Sequence, residues 1–159
     1  MVAARHTLWF HVLLLGHILG AMTLVAGVVF AGLVMIRARR AGSALEVATI
    51  LGLAPIGVLL VVTGGTLVGV CGLALVGVGH FGFGTGWVDA AIAIYVLVLA
   101  LGGLGGATPK RARLLAKELG GGPVSSELRG LLWDRWSRIY NDAALVLLIV
   151  LVWLMVFKP

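Results

Sequence analysis

Four long apolar runs organise the chain. Residues 8–36, 47–78, 87–106 and 142–157 contain only two charged side chains between them, Asp89 and Asp142. A hydrocarbon layer is crossed by about 20 helical residues, and each run approaches or exceeds that length; the last spans with Trp153 and Phe157 at the interface. No water reaches the backbone there, so each run must satisfy its own N–H and C=O groups, which predicts helices. The pattern reads as an all-α polytopic membrane protein: a single domain over 1–159, built as a four-transmembrane-helix bundle. The first run lacks a basic leader and a small-x-small cleavage site, so it is expected to be retained. The second is longer than one span needs. Pro55 either kinks it or opens a new helix after a short interfacial one over 44–54; a single kinked helix is expected, because the apolar residues before Pro55 would otherwise sit in water.

The polar positions cluster between the third and fourth spans. Within 109–141, Lys110–Leu119 predicts a short basic helix stopped by Gly120-Gly121-Gly122-Pro123, and Ser125–Tyr140 a second one begun by serine caps. On that second helix Leu128, Leu131, Leu132, Trp136 and Ile139 form an apolar stripe, predicting an amphipathic connector lying along lipid headgroups or against a partner. Glu46, Asp134 and Asp142 lie near arginines in sequence and are expected to pair with them.

Composition agrees with the pattern: 61% hydrophobic, 11% charged, and a mean hydropathy of +1.14, far from the usage of soluble domains. The formal charge of +6 would suggest nucleic acid in a soluble protein, but its distribution excludes that partner. Ten basic residues follow the first span or lie between the third and fourth, against two, Arg5 and Lys158, at the other side. The positive-inside rule then places both connectors in the cytoplasm and both termini outside. Arginine exceeds lysine and Ala, Gly and Val abound, which points to a bacterial inner-membrane protein. Cys71 is the only cysteine, so neither an intrachain disulfide nor a cysteine zinc site can form.

Candidate chemistry lies in the histidines and glycines. Gly16/Gly20, Gly65/Gly69 and Gly102/Gly106 are GxxxG pairs on the first three spans, which predicts close helix packing. The track Gly65, Gly69, Gly72 also offers a flat face on which a porphyrin or quinone ring could lie. On the first span, His17 shares its helical face with Leu13, Gly20, Leu24 and Gly27, so it points inward. His11 shares a different, large-residue stripe, Leu15, Ile18, Met22, Val25 and Val29, so it faces lipid or a neighbouring subunit. An inward imidazole needs a partner: Tyr95 at the matching depth, a backbone carbonyl of the second span, or the iron of a b-type heme. His6, His11 and His80 make a weaker, outer-surface metal site for heme or copper. His6 is about 16 Å from His17 along the helix. Phosphate loops, nucleophile elbows and paired buried carboxylates are absent from the sequence, and Thr23, Thr63, Thr66 and Tyr95 are too few and too mild for an ion path, leaving transport a minor alternative.

His17-Ile-Leu-Gly-Ala, Gly27, Pro55-Ile-Gly, the glycines of the second span, Thr85-Gly86-Trp87 and the terminal Trp153-Leu-Met-Val-Phe-Lys158-Pro159 together resemble the predicted integral membrane proteins of domain-of-unknown-function family 2269. The resemblance covers nearly the whole chain and is loosely shared with the copper-resistance D and J-type protoporphyrinogen oxidase membrane families. It implies a four-helix membrane domain with a histidine early in the first helix; the last of those families implies heme b near such a histidine, here His17. The expectation for function is a non-catalytic subunit or assembly partner of a larger membrane complex, of a respiratory or other electron-transfer kind, embedded in lipid beside other subunits or its own copies. Cofactor-free and heme-b forms remain as alternatives, the latter a heme- or quinone-associated redox protein using His17.

Overall fold

The computed structural model describes the backbone of residues 2–79, 84 and 86–157, with side chains from residue 8 onward. Six helices follow in order: α1 (Val2–Arg39), α2 (Ala44–Leu51), α3 (Ala54–Val78), α4 (Gly86–Leu119), α5 (Ser126–Leu132) and α6 (Arg135–Phe157). Taken with their short leading helices, they make four helical segments long and apolar enough to cross a membrane. They pair as two antiparallel hairpins, α1 on α3 and α4 on α6. Leu24, Val98 and Leu148, backed by Val61, Ile94 and Leu147, join the hairpins midway along their length.

Three boundaries differ from the sequence reading. The expected helix 47–78 is divided: α2 stops at Leu51, and α3 restarts with Pro55 in its first turn, where a missing N–H breaks no helical bond. Of the apolar residues before Pro55, Val47 and Leu51 are buried against the rest of the bundle, while Leu45 and Leu53 stay exposed. The expected 87–106 span and 110–119 helix are instead one continuous helix that runs through Pro109. The expected helix 125–140 splits at Trp133-Asp134, and its second half runs on as the first turns of α6. Asp134 begins α6 by accepting a hydrogen bond from the Ser137 N–H at 2.7 Å, and Arg39 ends α5 by donating Nε–H to the Leu132 carbonyl at 2.8 Å.

Burial is distributed unlike that of a soluble bundle. The tightest core is at the connector end, where α2 and α5 pack on the ends of α1 and α4. Ala38, Ala44, Val47, Ala112, Ala116 and Leu128 have no exposed surface at all. Here the chain meets water, so apolar area must be covered by protein. Along the spans lipid does that work, and Leu15, Met22, Leu59 and Val146 stay exposed. The two connectors are tied by the Ala44 N–H donating to the Gly122 carbonyl at 3.1 Å. Ser43 caps α2 and Ser125 caps α5, each accepting from a backbone N–H three residues on. The predicted stripe is thereby broken: Leu128 and Leu132 enter this core, while Trp136 and Ile139 are exposed on α6.

Among the described residues Glu46 and Asp134 are used differently from the expected arginine pairs, while Asp142 acts electrostatically on Arg39. Glu46 accepts from the Gly42 N–H at 2.9 Å, and Asp134 caps α6.

Glycine sets how closely α1 and α3 approach. A side chain at Gly20 would place its Cβ 2.7 Å from Leu67 Cβ and 2.9 Å from the Val68 nitrogen; one at Gly27 would lie 2.8 Å from the Val61 nitrogen, and one at Gly64 2.8 Å from the Gly20 carbonyl oxygen. The contacting glycines on α1, Gly20 and Gly27, are thus seven apart, as are Gly57 and Gly64 on α3. Of the predicted GxxxG pairs, Gly16/Gly20 does face α3, with Gly16 against the Cys71 sulfur. Gly102 and Gly106 meet nothing within 4 Å. The glycine of α4 that makes the close approach is Gly105.

Candidate functional site

The middle of α3 receives a polar side chain from each hairpin. His17 on α1 is half-buried, and its Nδ1 lies 3.1 Å from the Val68 carbonyl oxygen, a donor geometry for the Nδ1–H tautomer. Tyr95 on α4 donates its hydroxyl to the Gly65 carbonyl at 2.6 Å. The two acceptors are three residues apart, so they sit on neighbouring turns of one helix face. His17 therefore takes a backbone carbonyl of α3 rather than Tyr95, and Tyr95 takes another. One carbonyl belongs to a glycine of the predicted track, Gly65, and the other, that of Val68, is one residue from Gly69, which is what lets an aromatic ring reach the backbone.

That track is covered by these same rings. A Cβ at Gly69 would lie 2.9 Å from the Tyr95 hydroxyl, and one at Gly72 would lie 3.1 Å from His17 Cε1. Gly65 is next to Leu99 and Tyr95. The face on which a planar cofactor would lie is thus taken by the protein's own imidazole and phenol. The residues present suit an imidazole ligand, but not a ring laid flat on Gly69 and Gly72. His17 Nε2 has no hydrogen-bond partner among the described residues.

His11 does not join this site. His11 is exposed on the lipid-facing stripe, edge-on to Phe10 with ring centroids 5.9 Å apart. The side chain of His6, and His80 altogether, lie outside the described residues. No cluster of three or more His, Cys, Asp or Glu able to hold a metal occurs among the described residues. The threonines of the spans bond within their own helices, Thr23 to the Leu19 carbonyl, Thr63 to that of Leu59 and Thr66 to that of Val62.

A second polar seam, between α4 and α6, is absent from the sequence reading. Pro109 has no N–H to give the carbonyl four residues earlier, that of Gly105. Ser137 on α6 donates its hydroxyl to that same Gly105 oxygen at 2.8 Å, and Ser137 is buried. Serine supplied by a neighbouring helix is a recognised way to satisfy a carbonyl that proline frees at membrane depth. The absence of a side chain on Gly105 makes room for it: a Cβ there would lie 2.6 Å from Asn141 Oδ1. Asn141 Nδ2 donates to the Ser137 carbonyl at 2.8 Å, and Thr108 lies 3.4 Å from Asp134 Oδ2. The signal was legible in part, because the Gly105 to Pro109 spacing of four identifies the freed carbonyl. Nothing in the chain names the serine 32 residues away that answers it.

Comparison with curated proteins and with solved structures finds no match to this chain. A family model does match, over residues 11–159, nearly the whole length, including α1 from His11 and every later helix. With four membrane-length helical segments and a histidine inward on the first, the chain belongs to the family described as predicted integral membrane protein, DUF2269.

Proposed function

We propose that the protein is a structural subunit or assembly partner of a larger membrane complex and performs no chemistry of its own. The observation that supports this is the use made of its intramembrane polar groups. His17, Tyr95, Ser137 and Asn141 each close on a helix backbone and so hold one helix to another or to itself. Such bonds fix the bundle's shape. The exposed stripe Leu15, Ile18, Met22 and Val29 on α1 then offers a lipid or subunit contact of regular helical spacing. Extraction of the tagged protein from native membranes in mild detergent tests this. A stoichiometric assembly well above the 16.5 kDa chain is expected; a stable, monodisperse monomer would overturn the reading.

The same proposal has an orientation. The ten basic residues of the connectors put that end in the cytoplasm of a bacterium, with both termini outside. In a Cys71→Ser background, cysteine placed at the exposed Gly121 should react with a membrane-impermeant maleimide only after the inner membrane is opened. Labelling in intact spheroplasts would reverse the assignment.

One observation favours a second reading, a b-type heme protein: His17 Nδ1 bonds a backbone carbonyl while Nε2 remains uncommitted, an arrangement that orients an imidazole for iron. Absorption spectra of native membranes, oxidised and dithionite-reduced, decide between the two. A Soret and α band lost in His17→Ala establishes heme; a featureless spectrum removes it.

A further inference from the structure

The connector end contains a cavity of about 310 Å³ lined by Arg39, Arg40, Arg129 and Trp133, with Ala41, Val124 and Leu132 completing its wall. Three arginines thus line one recess, contributed by α1, the turn after it and α5. One of them is held in place by the wall itself. Arg39 is anchored by its Nε–H to the Leu132 carbonyl, and its guanidinium lies 5.5 Å from the Trp133 ring. Arg138, from α6, lies 5.4 Å from the same ring, adding positive charge behind the wall. Among the described residues none of these arginines forms an ion pair with a carboxylate. Asp142 acts on Arg39 at longer range, and Arg138 opposes it more strongly.

Position adds to charge. The apolar run of α1 ends at Ile36, immediately before Arg37, Arg39 and Arg40, and the exposed Trp133 and Trp136 lie on the same end. Tryptophan favours the headgroup level. The recess therefore opens at the depth of lipid phosphates. Four like charges drawn together repel one another, Asp142 offsetting only part of this at Arg39, and a phosphate accepting paired N–H groups from arginine relieves that repulsion.

We propose that this recess is a binding site for a phosphate group, delivered by the headgroup of an anionic phospholipid. It is independent of whether the protein serves as a subunit. The shared chemistry is a phosphate oxyanion held by Arg40, Arg129 and the free end of Arg39; a soluble phosphate would use the same groups.

The test is native mass spectrometry of the full-length protein in detergent, titrated with phosphatidylglycerol, with phosphatidylcholine, and with inorganic phosphate. One or two retained phosphatidylglycerol molecules are expected, with little retained phosphatidylcholine. Arg40→Gln combined with Arg129→Gln should weaken retention roughly tenfold or more. Lys110→Gln combined with Arg111→Gln removes equal charge from exposed positions of α4 and should leave it unchanged. Arg40→Lys with Arg129→Lys keeps the charge without the paired donors and should restore only part. Binding of inorganic phosphate that is lost in the pocket variant, without lipid retention, assigns the same site to a soluble anion. Equal losses from both charge-removing variants, or no anion retained at all, would overturn the proposal; circular dichroism confirms that each variant is folded.

Discussion

Ser137 shows how much one side chain can be asked to do. Its hydroxyl answers a carbonyl that Pro109 has left without a helical donor. Ser137→Ala should therefore destabilise the bundle by about 1–2 kcal/mol, read as a lower midpoint in denaturing-detergent titration. Pro109→Ala returns the N–H to the helix, so Ser137→Ala made in that background should cost close to nothing. Additive losses in the double variant would mean that the serine and the proline are unrelated. Tyr95 is a contrasting case. Its acceptor, the Gly65 carbonyl, is in a helix segment without proline, where the i+4 N–H is present. Tyr95→Phe should lose only about 0.6 kcal/mol, the average for hydrogen bonds between membrane helices.

Between helices, the decisive variable is which glycines face a neighbour. Gly64 of α3 touches α1 backbone, and Gly102 of α4 touches nothing within 4 Å. Gly64→Ala must push the helices apart and should destabilise by about 1–3 kcal/mol. Gly102→Ala should be neutral or stabilise by about 0.5–1 kcal/mol, since alanine is the better helix former. Equal effects at the two sites in the same thermal melt would count against the packing described. Helix ends follow local rules more closely. Asp134 caps α6 at the Ser137 N–H, so Asp134→Ala should lose about 1 kcal/mol, with helical content by circular dichroism reduced only slightly.

The molecule as a whole has a water-facing cap and a lipid-facing stem, and the two are held by different forces. The cap buries alanine, valine and leucine completely, Leu128 among them. Leu128→Ala should destabilise it by about 2–5 kcal/mol and open residues 120–125 to limited proteolysis. The His17–Val68 contact lies on the stem, away from that core, and lipid-retention measurements on the variant, set beside its helical content by circular dichroism, report whether the two regions fold independently. The Arg39, Arg40 and Arg129 recess is made by the cap, so its phosphate retention should fall with the cap and the stem's contacts should not.

How much of this was readable in the chain follows from range. Membrane residence, four spans, the inward face of His17 and the outward face of His11 depend on hydropathy and on a 3.6-residue period, which are properties of neighbours in sequence. The full-length family resemblance was readable for the same reason, through motifs such as Trp153 to Pro159. The passage of α4 through Pro109 and the split at Trp133 were not, and the break at Gly52-Leu53 was readable only as one of two alternatives at Pro55. Each depends on a partner distant in sequence: buried contacts that shelter α2, Ser137 for the Gly105 carbonyl, and Arg39 for the end of α5. The same holds for the glycines. A GxxxG pair marks a helix that is able to pack closely, but whether Gly20, Gly64 or Gly105 meets another backbone is settled by how the helices turn toward one another. A single helix shows which of its faces is rich in small residues but not which glycine on it meets a neighbour's backbone, because in lipid its outer and inner faces are both apolar.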